Sequence, residues 1–339
     1  MQKITSRSER KGTSARVRQT GESLLKIALL LGFISSHYPE QAMRILPFIQ
    51  TSVFVDNRYK FGGNQLATFW RASANSALES DEMLGIAREM NFSETTFLVE
   101  PSLPEYSARV RIFTPGREIP FAGHPTLGTA FSMMHIGLVD RSSREATLEM
   151  GVGPIEVTFE NDGTISMVQP RARFSEAVKD TECVVDAIGL SVEDLHDEAP
   201  VQVVSTGLPF LIVPLRSLKA LQDAKPNAAR IGDSLKHLPT QEILAFCADA
   251  VHPDSSLHAR MFAPGVGVLE DPATGSAAGP LGAYVEHHSM LDNHTIGDSI
   301  RIEQGFEINR PSQLIYRYSD DGPVVSGLVR LTAEGQFYT

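Results

Sequence analysis

Basic charge, cysteine and long apolar runs are all scarce in this sequence, and each shortage removes a class of function. The chain carries 30 Lys and Arg against 41 Asp and Glu, a formal net charge of −11 over 339 residues. That balance argues against a nucleic-acid binder, because phosphate recognition needs a basic face. It leaves room for a small anionic ligand, since local donors can dominate a cleft. There are two cysteines, Cys183 and Cys247. Neither belongs to a CxxC pair or a Cys/His cluster, so no zinc site and no disulfide framework is expected, and the cytosol is the default compartment. The most apolar run, LLKIALLLGFI, is interrupted by Lys26 and is too short to span a bilayer.

What remains is globular in composition, 42% hydrophobic and 21% charged, and long enough for two domains. Residues 1–42 stand apart. MQKITSRSERKGTSARVRQTG is basic and without apolar period, so it reads as a disordered extension, an added tail or an upstream start. From Met43 the texture is of short strands mixed with helices. IQTSVFVD, TTFLVE, ARVRIFT, ATLEMGVGPIEVTFE and TISMVQP have strand character, and DEMLGIAREM has helical spacing. Farther on, VQVVSTGLPFLIVPL reads as strand–turn–strand, and SLHARMFAP, SIRIEQGF and LIYRYS as strands. GPVVSGLVRLTAEGQFY reads as a closing hairpin.

Two stretches repeat one another. IFTPGREIPFAGHPTLGTA, following Arg111, aligns with MFAPGVGVLEDPATGSAAG, following Arg260. Arg111-x-Phe113-x-Pro115-Gly116 lies on Arg260-x-Phe262-x-Pro264-Gly265. After a two-residue gap, HPTLGTA from His124 lies on DPATGSA from Asp271. Each copy offers a strand, a turn, a polar residue before proline, and small residues leading into an apolar, buried helix. Asp271-Pro272 reads as an N-cap followed by proline in the first turn, with His124-Pro125 in the equivalent place. Pro280 disfavours a helix running unbroken through Gly275, so ATGSAAG reads as a loop with the helix starting near it. Either arrangement leaves backbone N–H groups free at a helix start, a seat for a carboxylate or phosphate. A plain packing role for the small residues and a plain cap at Asp271 form the bland alternative. His124 alone would read as a structural histidine, and its pairing with Asp271 makes it a candidate site residue.

Two facing helix starts would bring His124 and Asp271 to one cleft. Proton transfer on carbon there needs a group that both takes and returns a proton. Spacing does not select it from the 41 acidic residues. Glu94, between a helix and a strand, reads on its own as a solvated loop carboxylate.

These motifs resemble the PhzF-like phenazine-biosynthesis family of isomerases. The resemblance is carried by IAREMNFSETTF, RIFTPGREIPFAGHPTLGTA, VSTGLPFLIVPL, MFAPGVGVLEDPATGSAAG and IEQGFEINRPS, in family order from about Met43 onward. It implies an α+β, diaminopimelate epimerase-like fold, in which two pseudo-symmetric domains each wrap a barrel-like sheet around a central helix. The expected boundaries are 43–167 with 326–339 for the first domain and 168–325 for the second. It also implies cofactor-free proton transfer, as in the isomerisation of trans-2,3-dihydro-3-hydroxyanthranilate. Glu94 would move the proton, while His124 and Asp271 orient substrate and assist. Ser276, the amides around Gly275 and, from the opposite side, Gly123 would hold the substrate carboxylate. The family's GNP is replaced here by Gly63-Asn64-Gln65, which puts substrate choice in question and leaves Asn64 a candidate polar contact or a plain loop residue.

A small-molecule carboxylate is thus the expected partner, with no metal, nucleic acid or membrane, and the resemblance implies a homodimer. A two-thiol racemase on a related fold would need paired cysteines at the two helix starts, and Cys183 and Cys247 lie outside both. A catalytically idle binding protein is disfavoured by retention of Glu94, His124 and Asp271.

Overall fold

The protein is described by a computed structural model that covers residues 44–70, 78–292 and 294–339. The extension expected over residues 1–42 lies outside the described residues. In chain order the first series is β1 (Ile45–Val53), β2 (Asn64–Phe69), α1 (Ser80–Met90), β3 (Glu94–Val99), β4 (Ala108–Phe113), β5 (Glu118–Ile119), α2 (Gly123–His135), β6 (Glu145–Met150), β7 (Gly153–Phe159) and β8 (Ile165–Val168). The second opens with β9 (Arg173–Ala177), α3 (Glu182–Ala187), β10 (Gln202–Ser205), β11 (Pro209–Pro214), α4 (Leu218–Asp223) and α5 (Ala228–Ser234). It continues with β12 (Ile243–Cys247), β13 (Leu257–Ala263), β14 (Val268–Asp271), α6 (Gly275–His287), β15 (Ile300–Gln304), β16 (Ser312–Arg317) and β17 (Val324–Gly327), and β18 (Val329–Tyr338) ends the chain.

The repeat seen in the sequence extends to strand pairing. Neighbours β1–β2, β3–β4, β6–β7 and β7–β8 are antiparallel, while β2–β3 and β4–β6 are parallel. The same alternation recurs for β10–β11, β12–β13, β15–β16 and β16–β17, with β11–β12 and β13–β15 parallel. Each parallel step spans a helix, as parallel neighbours require a crossover. The series join edge to edge where β8 pairs β17, and Ile45–Phe337 forms one compact unit. Outside it, Arg44 and Thr339 exchange two backbone hydrogen bonds. The closing hairpin is corrected. β17 pairs with β16 and β8, whereas β18 lies on β1, just as β9 lies on β10. Adjacency in sequence misled here because β18, the last strand of the second series, lies on β1, the first strand of the first.

Both faces of the sheet are covered, so many strands read as unbroken apolar runs. In β12, Leu244 and Phe246 face α6, while Ile243, Ala245 and Cys247 face a second cluster beneath α4 and α5. On the first series, α1 buries Met83, Ile86 and Ala87, spaced three and four apart, over the Phe69, Phe97 and Phe113 rings. Helix α2 packs on β1, β2, β3, β6, β7 and β8, and α6 on β10, β11, β16 and β17. Both central helices are buried on most sides, as their composition predicts.

Two local expectations are corrected. α6 runs from Gly275 through His287 with Pro280 inside it. Pro280 removes the donor that would serve the Ser276 carbonyl in the first turn, and the helix continues because its burial outweighs that local penalty, with Gln169 Nε2 separately bonded to the Gly275 carbonyl at 2.9 Å. Asp271 is not a helix cap, because it ends β14 and the helix is preceded by Thr274. His124 is the second residue of α2, so the two aligned residues occupy different local positions.

Candidate active site

The N-termini of α2 and α6 touch. A Cβ on Gly123 would fall 2.5 Å from the Ser276 nitrogen and 2.8 Å from the Gly275 carbonyl carbon. A Cβ on Gly275 would fall 2.7 Å from the Phe54 ring, and Phe54 itself has a positive φ of 61°. Only glycine permits this approach from either side. The first amides of each 13-residue helix, at Gly123, His124, Gly275 and Ser276, have no acceptor within the helix. Two positive helix poles therefore face one point, an arrangement relieved by an anion.

Three acidic or imidazole groups gather at this point. Glu94 opens β3 directly after α1, whose last turn stops at Asn91 in the left-handed region. Its Oε2 lies 3.5 Å from His124 Nδ1, with 17% of the Glu94 side chain and 4% of the His124 side chain exposed. His124 Nε2 lies 3.3 Å from the Gln65 carbonyl, which can only accept, so Nε2 carries the proton. Burial lowers the His124 imidazole to about 3. A neutral ring protonated on Nε2 presents a bare Nδ1 to Glu94. Burial first, then Asp271 and Glu242, push the Glu94 carboxyl well above the usual carboxylate range. Because burial disfavours charge on both groups, the contact has little ion-pair character, and the bare Nδ1 faces a carboxyl whose hold on its proton is strengthened.

Asp271 is 7% exposed and fully engaged. Its Oδ1 accepts from Asn64 Nδ2 at 3.0 Å and Ser93 Oγ at 3.1 Å, and its Oδ2 from Thr274 Oγ1 at 2.6 Å. Burial nevertheless pushes it up to about 6, with those three donors pulling the other way. Asn64 is thus a ligand of Asp271. Ser276, half-buried at the second position of α6, makes no side-chain hydrogen bond among the described residues.

Glu242 and Arg117 were not singled out in the sequence. Burial and then Asp271 raise the Glu242 carboxyl, with Arg117 opposing. Glu242 also lines a cavity of about 390 Å³ with Pro209, Gln241 and Gly265. A signal existed. Glu242 immediately precedes β12 as Glu94 opens β3, and β3 and β12 each complete the first parallel pair of their series. The aligned arginines form a further matched pair. Arg111 lies over Phe113 at 5.1 Å and grips Glu118, while Arg260 lies over Phe262 at 5.0 Å and grips Glu270. Cys183 and Cys247 sit in α3 and β12, apart from both helix starts.

Among the described residues no helix is long and apolar enough to cross a membrane. Comparison with known proteins gives a consistent result. A family model described as phenazine biosynthesis-like protein, PhzC-PhzF, matches residues 52–326. A trans-2,3-dihydro-3-hydroxyanthranilate isomerase of Pseudomonas aeruginosa is 35% identical over 81% of this chain and 94% of its own. The crystal structure of a Bacillus anthracis phenazine biosynthesis protein of the PhzF family superposes with a TM-score of 0.76 at 26% identity, covering 87% of this chain and 99% of that one. A hydroxyproline epimerase from Agrobacterium vitis, 9% identical, superposes with a TM-score of 0.58 over 87% of this chain and 93% of that one, a likeness of fold. With its α+β, diaminopimelate epimerase-like fold, the chain belongs to the PhzC-PhzF family of phenazine biosynthesis-like proteins and is an isomerase of that type.

Proposed function

We propose that the chain moves a proton between carbons of a small carboxylate, one resembling dihydro-hydroxyanthranilate, without a cofactor. The observation that carries this reading is the Glu94–His124 contact, set before two touching helix starts with Asp271 in electrostatic reach. The substrate carboxylate sits at the amides of Gly123, Gly275 and Ser276, with the Ser276 hydroxyl as a further donor. Glu94, once ionised, takes a proton from a carbon of the substrate. The electron pair of that C–H bond shifts the double bond, and Glu94 returns the proton to a second carbon. A carboxyl held above its usual range is matched to this task, because its basicity as an anion and its acidity once protonated both operate closer to neutral pH. His124 and Asp271 orient the substrate and assist the proton's movement. In this reading two lobes, 43–167 with 326–339 and 168–325, form the walls of the cleft, and the enzyme is a cytoplasmic homodimer.

The test is a panel of small unsaturated and cyclic carboxylates followed by proton NMR in heavy water. The reading expects loss of a C–H signal, or its relocation, for at least one of them. Binding without exchange across the panel would favour an idle binding protein.

A further inference from the structure

The segment Gln304–Ser312, within the IEQGFEINRPS motif, has no part in the chemistry above. It nevertheless reaches both partners of the Asn64–Asp271 hydrogen bond. Gln304, at the end of β15, is 2% exposed. Its Nε2 donates to the Asp271 carbonyl at 2.8 Å and to Thr274 Oγ1 at 3.0 Å, and its Oε1 accepts from the Thr274 amide at 3.2 Å. One amide side chain thereby fixes the turn that aims the Asp271 carboxylate.

Arg310 fixes the other partner. Its Nε donates to the Gly63 carbonyl at 3.0 Å, and its Nη2 to the carbonyls of Gly63 at 2.8 Å and Gly62 at 2.9 Å, with Ser52 Oγ at 3.3 Å. None of these partners is a carboxylate, and burial lowers the guanidinium. A half-buried cation with no carboxylate partner among the described residues carries an uncompensated desolvation cost, so its bonds to two consecutive carbonyls need a reason. Gly63 has φ +74°, and a Cβ there would strike the Val53 carbonyl at 2.6 Å. This left-handed, tightly pressed backbone leads directly into Asn64, whose Nδ2 reaches both Asp271 Oδ1 and the Ala273 carbonyl at 2.9 Å. Arg310 and Gln304 are linked by a short turn in which the Arg310 amide donates to the Gly305 carbonyl at 2.8 Å.

We propose that Gln304 and Arg310 are positioning residues that act as one clamp, holding the Asp271–Thr274 turn and the Gly62–Gly63 backbone so that Asn64 stays bonded to Asp271. Lysine cannot replace the planar fork, because an ammonium has no fixed geometry that spans two carbonyls. Asp271 faces Glu94 and Glu242, both acidic, so each lost donor leaves its anion less supported.

The proposal rests on the isomerase reading of the site, and its test separates the two. Exchange rates are compared for wild type, Arg310→Met, Asn64→Ala and the double variant. Arg310→Met is expected to lower kcat about tenfold to a hundredfold, and the double variant to match Asn64→Ala, because both changes remove one interaction. Independent, multiplying losses would overturn the clamp, as would wild-type kcat in Arg310→Met. A second measurement needs neither substrate nor that variant. In protein labelled with carbon-13 at the Asp carboxyls, the Asp271 signal is identified by its loss in Asp271→Asn and titrated in wild type and Arg310→Lys. The clamp predicts a midpoint raised by about one pH unit in Arg310→Lys, and an unchanged midpoint overturns it. Absence of exchange in the wild type would count against the isomerase reading alone.

Discussion

Replacing Asp271 with asparagine should make the protein more stable at neutral pH while removing activity. Burial holds the Asp271 carboxyl at about 6 against an ordinary 3.8. The folded state therefore binds this proton more tightly than the unfolded chain does, and stability falls as pH rises through that window. A displacement of about two pH units corresponds to roughly 3 kcal/mol of destabilisation, present above pH 6 and absent below about pH 4. Asparagine avoids the buried charge and keeps the hydrogen bonds. Its Oδ1 can accept from Asn64 and Ser93, and its amide can donate to Thr274 Oγ1, the three groups that now surround the carboxylate. Asp271→Asn is thus expected to gain about 2–3 kcal/mol at pH 7.5, on the order of 4–10 °C in Tm for a chain of this size. Urea and thermal unfolding at pH 7.5 and pH 4 provide the assay. The gain should shrink towards zero at pH 4, where wild-type Asp271 is protonated as well. A variant less stable than wild type at pH 7.5, or a gain that persists at pH 4, would refute the reasoning.

Other consequences follow from the same geometry. Gly123→Ala places a methyl 2.5 Å from the Ser276 backbone nitrogen, so it should part the helix starts and cut exchange about a hundredfold, measured against the panel. Gly282→Ala drives a methyl to 2.1 Å from the Tyr316 ring, far from the cleft, and should cost about 1–3 kcal/mol or more in urea unfolding. The acid limb of kcat/KM should lie above the ordinary glutamate range, since Glu94 must ionise to accept a proton and burial beside Asp271 and Glu242 resists that. His124, neutral down to about 3, should add no limb between pH 5 and 8. Arg260→Met should destabilise more than Arg111→Met, because Glu270 is 8% exposed and Glu118 43%, so only Glu270 is left as a buried unpaired anion.

The sequence was most legible where local chemistry repeats. Arg111-x-Phe113 and Arg260-x-Phe262, with their Pro-Gly turns and small-residue helix starts, marked the two central helices and the meeting of their N-termini. Helix α1 was readable from Met83, Ile86 and Ala87, whose spacing alone specifies a buried face. Reading failed where a long-range contact overrode a local rule. Asp271-Pro272 has the form of a cap, but antiparallel pairing with Met261 holds Asp271 in a strand and delays the helix to Gly275. Pro280 should end a helix, but burial of the α6 start sustains it. Ser93, Gln304 and Arg310 lie inside legible motifs and Glu242 at a matched strand start, but their roles were not legible, because their partners are brought near only by the folded topology.

Glu94 is the group on which the account depends, and Glu94→Gln changes it with little change of shape. Wild type and Glu94→Gln would be incubated in heavy water with a carboxylate that exchanges, and deuterium incorporation followed by proton NMR. The account predicts exchange in the wild type and its loss by at least about a hundredfold in Glu94→Gln, with the folded state retained. Exchange at the wild-type rate in Glu94→Gln would contradict it.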